Sequence, residues 1–317
     1  MFDKLLEAAS IALEQCLSLH RNEQLLVVTD PPCEVIGLAF RQAGAAICKE
    51  AVLVEISPRK QSGNEPPPPI GDWFSQFDVC VMPTSKSLSH TQARRSACEK
   101  GARIATLPGI TPEIFIRTMN TDWKRLGSFT RSIANRLSSA KTIRIATESG
   151  TDITFETGGR RAKADDGNIG TKGAFGNLPA GEAYLAPFEG TARGRLVIDG
   201  SFPICGLISE PLIVDIEDGR VSTVYEHPVA QILLKQFDQY GPDARNIAEF
   251  GVGTIDTAQL CGVVLEDEKV KGTIHMAFGD NASMGGNVHV PIHQDGVIKC
   301  PTVWLDGKLF MDGGVHL

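Results

Sequence analysis

The sequence predicts an α/β N-terminal domain built on a parallel sheet, followed by a mainly antiparallel α+β domain. Three observations predict it. Continuous apolar runs alternate with helical periods over about the first 120 residues, the pattern of parallel strands buried on both faces. Beyond about residue 140, glycine becomes frequent and strands become short, with Gly and Asp turns between them. The chain, at 317 residues, is also long enough for two domains, so the boundary is placed at 140, giving domains 1–140 and 141–317.

An amphipathic helix opens the chain over Met1 to His20, where Asp3, Lys4, Glu7 and Glu14 interrupt any signal-peptide core. The strand LLVVTD (25–30) follows, then a helix over roughly 33–44 and the strand AVLVEI (51–56). The proline-rich stretch Glu65 to Pro69 is expected to form a surface loop, because consecutive prolines cannot join a helix interior or a central strand. VCVMPT (79–84), a helix near 90–100 and RIATLPG (103–109) complete the first domain's alternation. A helix around 122–139 leads into KTIRIATESGTDITFET, two strands joined by a turn. One further helix is expected near 228–237, among short strands such as RLVID, LIVDIEDGRVSTV and TIHMAFG.

Several function classes are excluded early. A formal net charge of -7 without any Lys/Arg run argues against a nucleic-acid surface. No apolar run approaches the roughly 18–20 residues of a membrane span. No GxGxxG follows the first strand, so dinucleotide binding has no support. The eight cysteines are scattered without a CxxC pair, which implies buried free thiols in a cytoplasmic protein rather than a cysteine-ligated zinc site. Ser89-His90 and Ser201 lie outside any GxSxG nucleophile elbow.

The residues that carry chemistry lie in the second domain. In HVPIHQDGV, His293 and Asp295 stand two apart. On a strand they project from one face about 7 Å apart, where an imidazole and a carboxylate can share a divalent metal. His289 shares the alternation past Pro291, but the pair lacks the glutamate and helix of a zincin. His275 in KGTIHMAFGDN sits among Ile274, Met276 and Phe278, and taken alone it is a core histidine. Glu249 in NIAEFGVGT and Glu182 in NLPAGEAYLAP are each unremarkable, although Pro179 and Gly181 fix a turn that presents Glu182. The acidic EDEK at 266–269 is expected to be a solvated turn, and Arg160 and Arg161 a solvated hairpin tip. Several carboxylates buried together need a cation, and two Glu, two His and one Asp suit one or two divalent metals that activate water.

These segments resemble the thermophilic-aminopeptidase family of dinuclear metallopeptidases, the leucyl aminopeptidase-like enzymes. The likeness runs from about residue 140 to the C-terminus through NLPAGEAYLAPFEGTARGRLVIDGS, IAEFGVGT, GTIHMAFGDN and IHQD. It implies that Glu182, Glu249, His275, His293 and Asp295 are metal ligands and that Glu182 or Glu249 also handles the proton. It further implies a homodimer, zinc, manganese or cobalt as the metal, and a small-molecule or short-peptide substrate. The expected activity is hydrolysis of an amide or N-terminal peptide bond. One departure stands out: Ala282 occupies the position of a family tyrosine close to the metals. A related short branch resembles the dihydroxypyridine ring-cleaving dioxygenases, which hold a single ferrous ion with the same HxD. They place a histidine where Glu249 stands and lack His275. The alternative expectation is therefore a mononuclear iron(II) oxygenase using His275 or His289 with His293 and Asp295, or else a non-catalytic homologue.

Overall fold

Two compact units account for the chain: Met1–Gly127 with Asp165–Ala180, and Ser128–Ala164 with Gly181–Leu317. The computed structural model describes residues Met1–Leu317, and no helix in it is long and apolar enough to cross a membrane. The sequence places one boundary near 140. In the structure the first unit ends sooner and takes residues 165–180 back.

The first unit holds a parallel sheet. Gln24–Thr29 pairs with Glu50–Glu55 on one side and Val79–Thr84 on the other, and Arg103–Pro108 and then Phe175–Asn177 extend it. Val79–Thr84 is buried along its whole length, as its unbroken apolar run requires, whereas the edge strand Glu50–Glu55 is half-exposed. Helices Glu34–Ile47 and Gln92–Glu99 supply the crossovers. Thr91 caps the latter, its side chain accepting from the backbone N–H of Arg94, which satisfies an orphan donor of the first turn. The returning segment is fixed by Asn177, whose side-chain oxygen accepts from the hydroxyls of Thr106 at 2.7 Å and Ser89 at 3.2 Å.

One local expectation fails in this unit. The proline run is a loop only over residues 65–67, because its last two prolines begin a short helix, Pro68–Trp73. The first turn of a helix has no intrahelical partner for its N–H groups, so proline costs nothing there. A further helix, Pro112–Met119, is capped by Thr111 and has no counterpart in the sequence-based expectation.

The second unit is antiparallel, as expected. An eight-stranded sheet and a five-stranded sheet enclose one hydrophobic core. Ile143, Phe155, Leu196 and Val214 come from the larger sheet, and Phe250, Ile274, Met276 and Phe278 from the smaller. Phe155 and Phe250 meet with ring centroids 5.5 Å apart. The smaller sheet carries the site. Its strands run in the order His293–Lys299, Thr273–Gly279, Ile247–Gly253, Glu182–Leu185 and Lys163–Asp165.

Candidate metal centre

Side chains alternate across a strand, so the register of the smaller sheet decides which of them meet. Asp295 pairs with Ala277, and Ala277 with Glu249, in one row. Two residues along, Val297, His275, Gly251 and Tyr184 form the next row on the same face. Glu182 follows opposite Gly253. The five candidate residues therefore share one face, while Ile274, Met276, Phe278, Phe250 and Leu185 point the other way into the core. This explains how His275 can have apolar neighbours and still face acids. Small residues between them leave the room: a Cβ on Gly251 would run into Nε2 of His275. Gly181, at φ 138°, adopts a backbone conformation that favours glycine and turns the chain into Glu182.

The polar atoms converge as two groups that share Glu249. In the first, Nε2 of His275 lies 3.2 Å from Oε2 of Glu182 and 3.5 Å from Oε1 of Glu249. In the second, Nε2 of His293 lies 3.2 Å from Oε2 of Glu249 and 3.3 Å from Oδ1 of Asp295. Within each group the potential ligand atoms all lie within 4.8 Å of one another. His275 is fully buried, Glu182 and Glu249 nearly so, and His293 is the most open, with 32% of its side chain exposed.

The second group fits a metal on its own chemistry. Nδ1 of His293 is 2.8 Å from the carbonyl oxygen of Asp280. A carbonyl only accepts, so Nδ1 carries a hydrogen, and Nε2, turned toward two carboxylates, holds either a second proton or a metal. One nitrogen with two carboxylate oxygens suits a divalent metal, which would take the place of that proton. Without a metal the proton is favoured. Burial opposes charging either imidazole, yet the carboxylates beside them prevail and raise both well above the ordinary histidine range. Burial likewise works to raise Glu182, Glu249 and Asp295, and the imidazoles, with Lys269 at Glu182, hold all three below their usual range.

Lys269 is the residue that the sequence did not disclose. The EDEK segment is not a solvated turn: Glu266, Asp267 and Lys269 are fully buried. Glu266 accepts from the N–H of Gln259 at 3.0 Å, and Asp267 accepts from those of Cys261 and Gly262 at 2.7 and 2.9 Å. This clamp aims Lys269 at the acidic face, its Nζ 2.8 Å from Glu182 and 2.7 Å from Glu268. Burial, with Glu182 and Asp295 nearby and against the pull of Lys269, pushes Glu268 up to about 8, so it keeps its proton near neutrality. The one signal in the sequence is the apolar bracket around these charges, Val263 to Leu265 before and Val270 after.

Other candidates lie apart. His289 is exposed and belongs to neither group, so an iron triad completed by His289 is not assembled. Arg160 is no solvated tip. Its guanidinium donates to the carbonyl of Pro187 at 2.6 Å and to Glu189 at 2.5 Å. Glu189 in turn accepts from Asn281 and from the N–H of Asn287, which ties down the loop whose Asp280 carbonyl orients His293. Burial works to raise Glu189, but these donors bring it down to about 2. Ser89 is a structural hydroxyl, 2.8 Å from Thr106. Ala282, in the position of the peptidase tyrosine, begins the short turn Ala282–Met284.

A profile of the NicX family, described as 2,5-dihydroxypyridine 5,6-dioxygenase, matches residues 11–317. The 2,5-dihydroxypyridine 5,6-dioxygenase of Pseudomonas putida KT2440 is 24% identical over 243 residues, covering 72% of this chain and 68% of that protein. The solved structure of 2,5-dihydroxypyridine dioxygenase from the same organism superposes with a TM-score of 0.86 at 18% identity, covering 100% of this chain and 98% of that one. AmpT of Thermus thermophilus superposes with a TM-score of 0.76 at 14% identity over 99% of each chain. The aminopeptidase likeness is thus one of fold alone. The expected amide hydrolase and its peptidase assignment are overturned by the profile and the curated relative, both of which are dioxygenases.

Proposed function

Because this chain belongs to the 2,5-dihydroxypyridine 5,6-dioxygenase family, we propose that it is a metal-dependent dioxygenase that opens a dihydroxylated pyridine ring. The observation that carries this reading is the convergence of Nε2 of His293 on Glu249 and Asp295, with the tautomer fixed by the Asp280 carbonyl. Glu249, His293 and Asp295 would hold one ferrous ion. When bound, that ion supplies the Lewis acidity and one-electron chemistry that dioxygen needs. The set has one imidazole and two carboxylates, where the iron alternative drawn from the sequence has two imidazoles and one carboxylate.

The rest of the face would serve the ring. Lys269 holds Glu182 in place by engaging its Oε1, and His275 lies beside the other oxygen. Oε2 of Glu182 is buried without a well-formed hydrogen bond, so it is the atom that takes the proton of a ring hydroxyl. The buried stems of Lys269 and His275 keep water from that end of the face.

The test is oxygen uptake after anaerobic loading with Fe(II). With 2,5-dihydroxypyridine, one O2 consumed per ring lost is expected. His293→Ala should lower the rate by at least the roughly 100-fold that disturbing a metal's supporting contacts costs. An iron-loaded protein that consumes no oxygen with any dihydroxypyridine sinks the proposal.

A further inference from the structure

The acidic face offers two places for a cation, and besides its two imidazoles it carries one ammonium, placed at one end. Lys269 enters from the turn beside the first group, pinned along its backbone. Its N–H donates to the Glu266 carbonyl at 2.9 Å, and its own carbonyl accepts from Ile255 at 2.9 Å. Gly253 lets this segment lie close, since a Cβ there would strike the carbonyl oxygen of Val270. The side chain is fully buried, and its ammonium is held between Glu182 and Glu268 at 2.8 and 2.7 Å. The second group, Glu249 with His293 and Asp295, has no such charge delivered to it. In a centre for two metals, Glu249 would bridge them and Glu182 would bind the first. Here Glu182 is already neutralised, and a divalent ion beside it would face a buried ammonium a few ångströms away.

We propose that Lys269 is a permanent second cation, which fixes this centre at one metal per chain and leaves that metal to Glu249, His293 and Asp295. The inference rests on the metal-centre reading above but concerns stoichiometry, not activity. Lys269 acts as a positioning residue: its charge keeps Glu182 and His275 out of the coordination sphere and free to face the substrate.

Titration of chelator-stripped protein with Co2+ alone, without oxygen or substrate, tests this. Wild type should saturate at one Co2+ per chain. Lys269→Gln, or the apolar Lys269→Met, should take two, and Lys269→Arg should return to one. A variant that folds by circular dichroism only when Co2+ is present also supports the inference, because the metal then replaces the ammonium. Failure to fold with or without Co2+ counts against it. Two Co2+ in wild type, or one in a folded Lys269→Gln, overturns the role of Lys269 while leaving the dioxygenase standing. No Co2+ in wild type overturns both.

Discussion

Asp267 and Glu249 are both buried carboxylates of the second unit, but their charges are satisfied in opposite ways. Asp267 accepts the backbone N–H groups of Cys261 and Gly262, donors that the turn itself provides. Glu249 faces two imidazoles, each of which needs a proton or a metal to present a positive charge. The first acid is complete as soon as the chain folds. The second is complete only with something the chain does not contain. Burial of an ion without a partner is costly, so an acid of the second kind persists only where function retains it. Sorting buried acids by the origin of their partners therefore separates structure from site, even within one sheet and its adjoining turn.

The comparison breaks most sharply on isosteric amides. Glu249→Gln should abolish metal-linked stability. At 100-fold over Kd, that linkage is worth about 2.7 kcal/mol, so the drop in Tm produced by a chelator in wild type should vanish in the variant. Asp267→Asn should do the reverse. It loses the charged acceptor of two buried N–H groups, at a cost of about 1–3 kcal/mol, and the loss should be equal with and without chelator. Thermal unfolding of both variants, each with metal and with chelator, decides the matter. If Asp267→Asn changes the chelator response, the two acids are not different in kind.

The same distinction explains what the sequence made legible. The parallel sheet could be read because a strand buried on both faces leaves an unbroken apolar run, as in VCVM. Phe175–Asn177 could not be read, because three residues with a central glycine carry no period and pair with a strand some 70 residues away. His293 and Asp295 stood out through their spacing of two, and Gly251 and Ala277, which make room for the site, looked only like small residues of a strand. Lys269 was hidden because EDEK has the composition of a solvated turn, and nothing in that composition shows the N–H groups of Gln259, Cys261 and Gly262, just upstream, folding back onto its acids. The expected hydrolase failed for a related reason. Carboxylates and imidazoles that gather a divalent metal serve more than one chemistry, and Ala282 was the one residue in the set that spoke against peptide cleavage.

A smaller effect sharpens the comparison at Gly251. Its absent side chain is the space in which the His275 ring lies. Gly251→Ala forces a methyl group against that ring, and overpacking of this kind costs about 1–3 kcal/mol, or about 2–4 °C in Tm per kcal/mol for a unit of this size. The loss should come with weaker Co2+ binding, since the displaced imidazole presses on the shared Glu249. An unchanged titration would place His275 outside the influence of the metal.

His316 supplies a third kind of buried polar group, one with neither N–H donors nor a cation to complete it. Its ring meets Phe129 and Phe310 edge-on, at 5.1 and 5.7 Å between centroids, and neither nitrogen has a hydrogen-bond partner. Burial, with Lys271 and Arg136 nearby, lowers it from 6.5 to about 4. The folded chain therefore keeps His316 neutral at a pH where the unfolded chain has already charged it. Its contribution is whole above pH 6.5, shrinks as the pH falls, and is gone below about 4. His316→Phe keeps the aromatic packing and removes the proton, so Tm should fall less steeply between pH 6.5 and 4 than in wild type. Parallel slopes would mean that the ring takes up its proton without leaving its place. The stability of this corner would then rest on the aromatic stack alone, independent of charge.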